Sequence, residues 1–516
     1  MSSSFAHHPS TSSLTKFKAK FLRYLDFNLT LTHLHIQIHH SKTPPLVTLN
    51  SFVLELISKL RIAPTLSHLT LNLQEAFPEY NQEGQATPLE DKIQSFLKTY
   101  TILLQHFRHL QKVSVALPCN SSIVTSYMKR APKLVSKYCK KLQQFELILP
   151  SNSNLTLNNK NLLHFIRNIG RSAPKLHSLK FICLRLNLEH KSPNLSKMFN
   201  TRRMANLKKL ALHIPAITLA KATKNHIDPY HFGFLKGSRR LRILDLAFSD
   251  ELMPTDVKAK DRDFHVAHSF RNLTGLKLAF SNFHSMTGRQ IRMLTSQIIS
   301  KLPELKSFAL DLHQNEGMND IELKSLSNTM TANLQKLTQL SLSFSSAGIT
   351  ERGVSYISSM LMQNNYSKLA TLSLNFRSGG TFSNKILTQL AENIGRNIPK
   401  LKRLGLSFIS PGSNRRTPGA LKVIMGTKEV SNKGIAKLGK IIADRLMYLQ
   451  MIQLRLEHQE QITNEGVENM CTWLGKINHL KKLNLNFRLC GKVTPEVRRS
   501  TQEILTSERK IKMVFI

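Results

Sequence analysis

Apolar residues recur along the chain in one short pattern, L-x-x-L-x-L-x-F with aliphatic substitutions. The pattern occurs fourteen times, at steps of 31 to 35 residues apart from two longer steps of 44 and 48 residues. The copies begin at Leu31, Leu66, Leu110, Leu142, Leu176, Leu207, Leu241, Leu273, Leu305, Leu337, Leu369, Leu401, Leu449 and Leu480. A self-similar period of this length indicates a repeat protein, in which each module buries its apolar face against its neighbours.

The spacing of apolar residues changes within each repeat. Inside the pattern they alternate, as in Leu340, Leu342 and Phe344, which is the period of a half-buried β-strand. Between the patterns they fall three and four residues apart, as in residues 354–361, which is the period of an amphipathic helix. Each repeat is therefore predicted to contain one strand and one helix.

Three of the predicted helices share a start signal, an aliphatic residue followed by Thr or Ser, two variable residues and Gly. It stands at residues 349–354, 430–435 and 462–467. The hydroxyls of Thr350, Ser431 and Thr463 are expected to accept a hydrogen bond from an orphan N–H of the first helical turn. The glycine, which has no Cβ, is expected to permit close packing on the neighbouring repeat.

With these residues the chain resembles the leucine-rich-repeat family, most closely its long-repeat, ribonuclease-inhibitor-like branch, over residues 31–490. The resemblance implies an α/β fold, a leucine-rich-repeat solenoid or horseshoe of about fourteen strand–helix repeats, with a parallel concave sheet and convex helices. The chain departs from the family pattern because the usual Asn or Cys after the last strand leucine is mostly missing. Instead, a phenylalanine often stands two residues after that leucine: Phe248, Phe280, Phe344, Phe376, Phe408 and Phe487.

Other segments flank or interrupt the repeats. Residues 1–30 form a basic, Ser-rich extension typical of a mitochondrial presequence; the alternative is a frayed tail that leads into a capping helix. Insertions at residues 74–91 and 409–434 would emerge as loops, either for binding or as idle surface. Residues 491–516 are predicted to form a C-terminal cap.

The chain carries 73 Lys and Arg against 32 Asp and Glu, a formal net charge of +41. Such a charge predicts RNA or another polyanion as a partner, met by the outer or lateral surface of the solenoid. The candidate residues are Lys129, Arg130, Lys133, Lys137, Lys140, Lys141, Arg202, Arg203, Lys208, Lys209, Lys236, Arg239, Arg240 and Arg242. Of these, Lys129, Lys133, Lys137, Lys140 and Lys141 have the spacing of one helical ridge. The alternative is a solvated surface, and no known motif for sequence-specific nucleic-acid recognition is present in the sequence.

The third, fifth and seventh residues of each copy are predicted to point onto the concave face of the sheet. In the later repeats they are mostly small, polar and neutral, so this face is a candidate surface for a protein partner. The candidates are His33, His35, His68, Gln339, Ser341, Thr371, Asn375, Arg403, Arg455, Asn484 and Asn486. The three histidines are interpreted as polar surface residues rather than zinc ligands, since no carboxylate or thiolate stands at a matching position.

The sequence contains none of the common catalytic signatures, neither a P-loop nor G-x-S-x-G, H-E-x-x-H or G-x-G-x-x-G. Three acids at inward strand positions, Glu146, Asp245 and Asp311, stand in different repeats without an evident partner. The chain is therefore expected to be non-enzymatic, with no cofactor, no metal and no small-molecule substrate.

The cysteines bear on the compartment. Five scattered residues without a C-x-x-C pair favour neither a disulfide framework nor a thiolate zinc site: Cys119, Cys139, Cys183, Cys471 and Cys490. No run of 18 apolar residues and no export signal is present. The protein is therefore expected to be intracellular and not inserted in a membrane, with cytoplasm, nucleus and mitochondrion all open.

These observations together favour a non-enzymatic interaction scaffold in a larger assembly that contains RNA or another polyanion. One alternative is a substrate-recognition adaptor of a ubiquitin-ligase-type complex, which would need a separate partner because residues 1–30 are too short for an F-box. The other is a leucine-rich-repeat GTPase regulator, which the missing acidic tail disfavours.

Overall fold

The computed structural model describes residues 33–37, 66–72, 97–98, 100–105, 107–117, 121–149, 156–183, 187–189, 206–215, 240–249, 271–281, 287–313, 315, 317–346, 348–378, 382–409, 430–506 and 511–515. The chain divides into two compact units, residues 1–248 and 249–516. In the described residues of the first unit, helices stand between some of the strands.

The first unit contains a ladder of strands that lie side by side in sequence order, and a separate pair of short strands. The strands are β1 (His33–Gln37), β2 (His68–Asn72), β3 (Lys112–Ala116), β4 (Gln144–Leu149), β5 (Thr156–Asn158), β6 (Ser178–Cys183), β7 (Asn187–Glu189), β8 (Lys209–Pro215) and β9 (Ile243–Ser249). Strands β1 to β4, β6 and β8 pair in parallel, β9 follows β8, and β5 and β7 pair in a separate parallel ladder. Helices α1 (Ser121–Tyr138) and α2 (Asn159–Ser172) pack against each other.

In the second unit a helix stands between each pair of successive strands. Its elements are β10 (Gly275–Ser281), α3 (Gly288–Leu294), β11 (Ser307–Leu312), α4 (Asp320–Asn333), β12 (Gln339–Ser346), α5 (Glu351–Leu361), β13 (Thr371–Ser378), α6 (Asn384–Asn397), β14 (Arg403–Ile409), α7 (Asn432–Arg445), β15 (Met451–Arg455), α8 (Asn464–Gly475), β16 (Lys482–Asn486), α9 (Glu496–Thr506) and β17 (Lys512–Phe515). A π-helical turn, Thr295–Ile299, follows α3. Successive strands pair in parallel and successive helices pack against one another.

The predicted repeat fold is confirmed. Each of the fourteen predicted leucines precedes a strand by two residues, from Leu31 before β1 to Leu480 before β16. The strand leucines stack in register, as do Leu340, Leu372 and Leu404, and all three are buried. The core therefore consists of columns of equivalent apolar residues that run through the repeats of each unit.

The phenylalanines that depart from the family pattern form such a column. Phe344, Phe376 and Phe408 are fully buried on adjacent strands, with ring centroids 6.0 and 5.7 Å apart. Phe487 of a later repeat contacts Phe515, the register partner of Leu485, with ring centroids 6.0 Å apart. In these repeats, contacts between phenylalanine rings replace the Asn or Cys that the leucine-rich-repeat pattern has after the last strand leucine.

Side-chain bridges join the first residues of neighbouring helices in the second unit. Asn432, which begins α7, accepts a hydrogen bond from the backbone N–H of Thr463 (2.8 Å) and donates one to the Thr463 hydroxyl (2.7 Å). Equivalent bridges are Asp320–Thr350, Asn384–Ser431 and Asn464–Thr494. Each bridge links one helix start to the next and so holds the register of the repeats.

These bridges correct the predicted role of two hydroxyls. Thr350 does cap its own helix, because its Oγ1 accepts a hydrogen bond from the N–H of Arg352 (3.1 Å). Ser431 and Thr463 make no such cap. Their hydroxyls instead accept hydrogen bonds from the asparagine side chain of the preceding helix, so the prediction was wrong for these two residues.

The glycine of the helix-start signal is explained by the same bridge. A Cβ at Gly434 would overlap the side-chain amide of Asn384, and a Cβ at Gly466 would overlap that of Asn432. The expected close packing on the neighbouring repeat is therefore confirmed at these two helix starts.

The predicted flanking segments are only partly covered by the described residues. Residues 1–30, with the presequence prediction, and residues 74–91 lie outside them, as do 410–429 of the second insertion. Within 491–516, α9 and β17 continue the repeat, and β17 pairs in parallel with β16. The capping role of this segment stays a prediction.

Candidate polyanion-binding edge

One edge of each unit lies where the chain turns from a helix into the next strand. We define this strand-start edge as the two residues before and the two residues after the leucine (Ile511 in the last repeat) that begins each repeat. The backbone N–H groups of Lys208 and Lys209 both donate to the carbonyl oxygen of His177 (2.7 and 2.8 Å), and those of Arg242 and Ile243 donate to that of Lys208 (2.8 and 3.0 Å). Successive repeats are thus joined directly at this edge, about 4.8 Å apart.

In the first unit the strand-start edge is basic. Its described residues include no acid. Its basic residues are Arg108, Lys112, Lys140, Lys141, Lys175, Lys208, Lys209, Arg240 and Arg242, all exposed except the half-buried Lys112. Every described repeat from the third to the seventh therefore presents at least one cation here.

The edge of the second unit has the same character. Its basic residues are Arg271, Lys306, Lys336, Lys368, Lys400, Lys402, Arg403, Lys481, Lys482 and Lys512. Glu304 is the single acid among its described residues; it accepts a hydrogen bond from Lys336 (2.6 Å), which lowers the pKa of its carboxyl group. Only one of these cations is therefore neutralised by an acid of the edge.

The cations face one another across neighbouring repeats. Lys482 and Lys512 are register partners on β16 and β17, and Arg242 lies next to Lys208. Like charges in adjacent positions of a sheet repel and lower stability. A polyanionic ligand bound along this row of cations would offset their mutual repulsion.

The structure sorts the sequence-predicted basic residues into two surfaces. Lys129, Arg130, Lys133 and Lys137 are exposed on α1, and the lysines at 129, 133 and 137 have the predicted ridge spacing. The helix ends at Tyr138, so the prediction that Lys140 and Lys141 continue this ridge was wrong. The residues on the strand-start edge are Lys140, Lys141, Lys208, Lys209, Arg240 and Arg242. Arg202, Arg203, Lys236 and Arg239 lie outside the described residues.

Sequence reasoning missed much of this edge. Lys175, Lys306 and Lys368 stand alone rather than in basic runs, so a search for charge runs passes over them. The available signal was a column: aligning the repeats on their first leucine places these cations beside one another.

One repeat interrupts the cations with large apolar and aromatic side chains. Met447 and Tyr448, just before Leu449, are 62% and 54% exposed. His479 occupies the Tyr448 position of the next repeat, and the two rings are parallel within 5°, with centroids 6.1 Å apart. We call these three residues the aromatic patch; the sequence analysis did not identify it.

The predicted concave candidates alternate with the core as expected, but several are engaged within the sheet. Gln339 accepts a hydrogen bond from the Ser307 hydroxyl (3.2 Å), and Asn375 donates one to the Ser343 hydroxyl (3.2 Å). Ser341, Thr371 and Asn484 are half-buried, and Arg403 lies on the strand-start edge. A protein-binding role for this face stays a prediction.

At the last repeats the concave face carries a small polar network. Glu457 Oε1 accepts hydrogen bonds from Nε of Arg455 (2.8 Å) and Nδ2 of Asn486 (2.9 Å). Asn486 is buried and also accepts one from the Arg488 N–H (2.9 Å). The charge of Arg455 is thus balanced by the protein itself.

The first two repeats bring two of the predicted histidines together. His33 and His68 are register partners whose rings stack at 4.0 Å, and the Ser67 hydroxyl lies 2.7 Å from Nδ1 of His68. His35 is described only in its backbone, opposite Thr70. Within the described part of the chain, no group of three or more His, Cys, Asp or Glu residues could hold a metal ion.

The inward acids are not isolated, and that expectation was wrong. Glu146 forms an ion pair with Lys180, its register partner on β6 (2.6 Å), and accepts a hydrogen bond from the Ser114 hydroxyl (3.1 Å). Asp245 lies 3.2 Å from Nε2 of His213 in the preceding repeat. Lys180 stands at the position of Glu146 in the next repeat, and His213 belongs to the repeat before Asp245, which is why reading along the chain separates the partners.

Asp311 has a local partner. Its Oδ1 accepts a hydrogen bond from the backbone N–H of His313, two residues later (3.1 Å). This contact closes a turn at the end of β11, so the acid has a structural explanation as well.

Cys139, Cys471 and Cys490 are buried thiols outside any disulfide, and Cys183 is buried as well. Burial raises the pKa of the Cys139 and Cys471 thiols to about 12 and that of Cys490 to about 11. The reactive thiolate is disfavoured at these three positions, as expected of structural thiols. Cys119 lies outside the described residues.

Among the described helices, none is both long and apolar enough to cross a membrane.

No family model and no curated protein matches the chain. Among solved structures, the Rad7–Elc1 complex from yeast is 14% identical with a TM-score of 0.41, and the match covers 95% of this chain and 96% of that chain. The TLR13–ssRNA13 complex is 13% identical with a TM-score of 0.30, over 88% of this chain and 56% of that chain. The Toll–Spatzle complex from Drosophila is 12% identical with a TM-score of 0.29, over 84% and 52%. In the described residues themselves, the parallel strand order and the in-register leucine columns give both units a leucine-rich-repeat solenoid fold.

Proposed function

We propose that the chain is a non-enzymatic leucine-rich-repeat scaffold that binds RNA or a comparable polyanion along its strand-start edge, as a component of a larger assembly. The observation that carries this proposal is the positive charge of the edge. Among its described residues, Glu304 is the single acid against a cation in almost every repeat.

This edge suits a phosphate backbone because its cations recur at the step of the strands. Contacts of this kind require no reading of bases and supply affinity that falls as salt is added. They also require no enclosed pocket, so an open row of Lys and Arg side chains is sufficient.

The concave face is the weaker candidate for the polyanion. Beyond the strand-start edge, the concave face has charged residues that are paired within the sheet, as in the Glu146–Lys180 and Arg455–Glu457 pairs. A phosphate would have to displace these internal partners, whereas on the edge it meets exposed cations.

The test compares two sets of four substitutions in the first unit. One removes edge cations (Lys140→Gln, Lys141→Gln, Lys208→Gln, Lys209→Gln), and the other removes the α1 ridge (Lys129→Gln, Arg130→Gln, Lys133→Gln, Lys137→Gln). Both remove four positive charges from exposed positions. Affinities of the full-length chain for a labelled RNA and a heparin fragment are measured by fluorescence anisotropy.

The edge variant should bind both ligands about tenfold more weakly or worse, and the ridge variant should lose much less, because only the first removes phosphate contacts. Equal losses would show that net charge alone attracts the ligand. Failure of the unmodified chain to bind either ligand would refute the proposal.

The assembly is tested separately by affinity purification with and without RNase. A scaffold of an RNA-containing assembly should lose its partners after RNase treatment. A retained ubiquitin-ligase subunit or a retained GTPase would support one of the two alternative functions instead.

A further inference from the structure

We propose that the aromatic patch of the second unit stacks the bases of a single-stranded nucleic acid whose phosphates lie on the adjoining cations. This inference rests on the proposed function, and it adds the class of ligand and the residues that select it. The patch is the place where the strand-start edge offers planar rings as well as charge.

The position of the patch places its rings between cations. The N–H groups of Gln450 and Met451, in the patch repeat, both donate to the carbonyl oxygen of Lys402 (2.8 and 3.1 Å). Those of Lys481 and Lys482 in turn donate to the carbonyl oxygen of Gln450 (2.9 and 3.1 Å). The patch repeat therefore lies between two repeats that each present a pair of cations, Lys402 with Arg403 and Lys481 with Lys482.

The side chains of the patch contribute little to folding. More than half of the surface of Met447 and of Tyr448 is exposed, and His479 is exposed as well. Single exposed apolar residues are common on protein surfaces. Here Met447 and Tyr448 are adjacent, and the ring of His479 lies parallel to that of Tyr448. These two parallel, exposed rings on successive repeats form an aromatic platform on the same edge as the cations.

The chemistry of this platform fits a single strand better than a duplex. In a duplex the base faces are already stacked on one another, so only phosphates could meet the edge. An unpaired strand offers both phosphates for the cations and free base faces for Tyr448 and His479, and base–aromatic stacking tolerates any sequence. One acid, the exposed Asp444 in the last turn of α7, precedes Tyr448 in sequence, but the adjoining cations outnumber it, so the local charge is positive.

The test uses the full-length chain and four 12-nucleotide probes: oligo(A) RNA, oligo(A) DNA, an abasic phosphodiester strand and a duplex. Tyr448→Ala removes the platform ring, and Tyr448→Phe keeps it. Tyr356→Ala is the matched control, because Tyr356 is a half-buried surface tyrosine near a cation, Lys324 (5.8 Å), on a helix away from the edge. Folding is monitored by the fluorescence of Trp473, the single tryptophan.

We expect Tyr448→Ala to weaken binding of oligo(A) about tenfold or more, since one stacked base is lost, and to leave the abasic strand and the duplex within about twofold. Tyr448→Phe and Tyr356→Ala should bind like the unmodified chain. Similar losses with RNA and DNA would identify stacking rather than the 2′-hydroxyl as the cause.

Two outcomes would overturn the inference while leaving the proposed function intact: oligo(A) binding that Tyr448→Ala does not change, or an equal loss for oligo(A) and the abasic strand. Either would show that the edge binds phosphates alone. If the unmodified chain bound none of the four probes, this inference would be refuted, and the proposed function would be refuted with it if the heparin fragment also failed to bind.

Discussion

At the scale of single residues, Asn432 links two repeats through two hydrogen bonds to Thr463. Asn432→Ala would leave the Thr463 N–H without its acceptor at the start of α8, at a cost of about 1–3 kcal/mol in the free energy of unfolding. Urea denaturation followed by the fluorescence of Trp473, which lies in α8, measures this loss.

Asn432→Asp is the matched variant for this prediction. Asp320 already accepts hydrogen bonds from both the N–H and the hydroxyl of Thr350 (2.9 and 2.6 Å), so a carboxylate can form the same bridge. A carboxylate at a helix N-terminus is also favourable. The Asp variant should therefore keep most of the stability; equal losses in both variants would mean that the bridge contributes nothing specific.

This junction also shows how far residue-level prediction reached. The helix starts and their glycines could be predicted, because those signals lie within one repeat, but of the three hydroxyls only that of Thr350 caps its helix as predicted. The asparagine that binds the hydroxyl could not, since it belongs to the preceding helix 31 or 47 residues away. The same separation concealed Lys180 as the partner of Glu146.

At the scale of elements, the phenylalanine column shows why an exchanged consensus residue leaves the fold intact. Phe376 is fully buried between Phe344 and Phe408, so Phe376→Ala would remove its contacts with both rings and leave a cavity. Such a truncation costs about 3–5 kcal/mol. The loss should appear as a lower urea midpoint in the fluorescence of Trp473.

Phe376→Leu separates the filling of volume from aromatic contact. It retains most of the apolar volume and should cost about 1.5 kcal/mol or less. If both variants lost the same stability, the column would act through its rings rather than through packing.

Element positions were predictable wherever the apolar period was long and repeated. All fourteen strand starts follow from the leucine pattern, because one buried face enforces alternation in every copy. Strands β5 and β7 could not be predicted, since each has three residues and no recurring pattern. The helix-start glycines were predicted correctly, because a position where two repeats approach closely requires a residue without a Cβ.

At the scale of the whole molecule, the net charge of +41 pointed to a polyanion but did not locate it. Runs along the chain highlight the α1 ridge, whereas the strand-start edge emerges only when equivalent positions of many repeats are placed side by side. The fold brings together cations that lie about one repeat apart in sequence, and this is the step that composition cannot supply.

The salt dependence of binding measures how many of these cations meet phosphates. For a single strand, log K falls against log salt concentration with a slope of about −0.7 for each neutralised phosphate. Replacing Lys400, Lys402, Arg403 and Lys481 by Gln should therefore flatten the slope by about 3 if each contacts one phosphate. The matched control replaces Lys324, Lys385, Lys433 and Lys437, which are exposed on helices α4, α6 and α7. Because both variants lose four charges, an equal change in slope would place the ligand everywhere on the surface, whereas a change confined to the first variant places it on the edge.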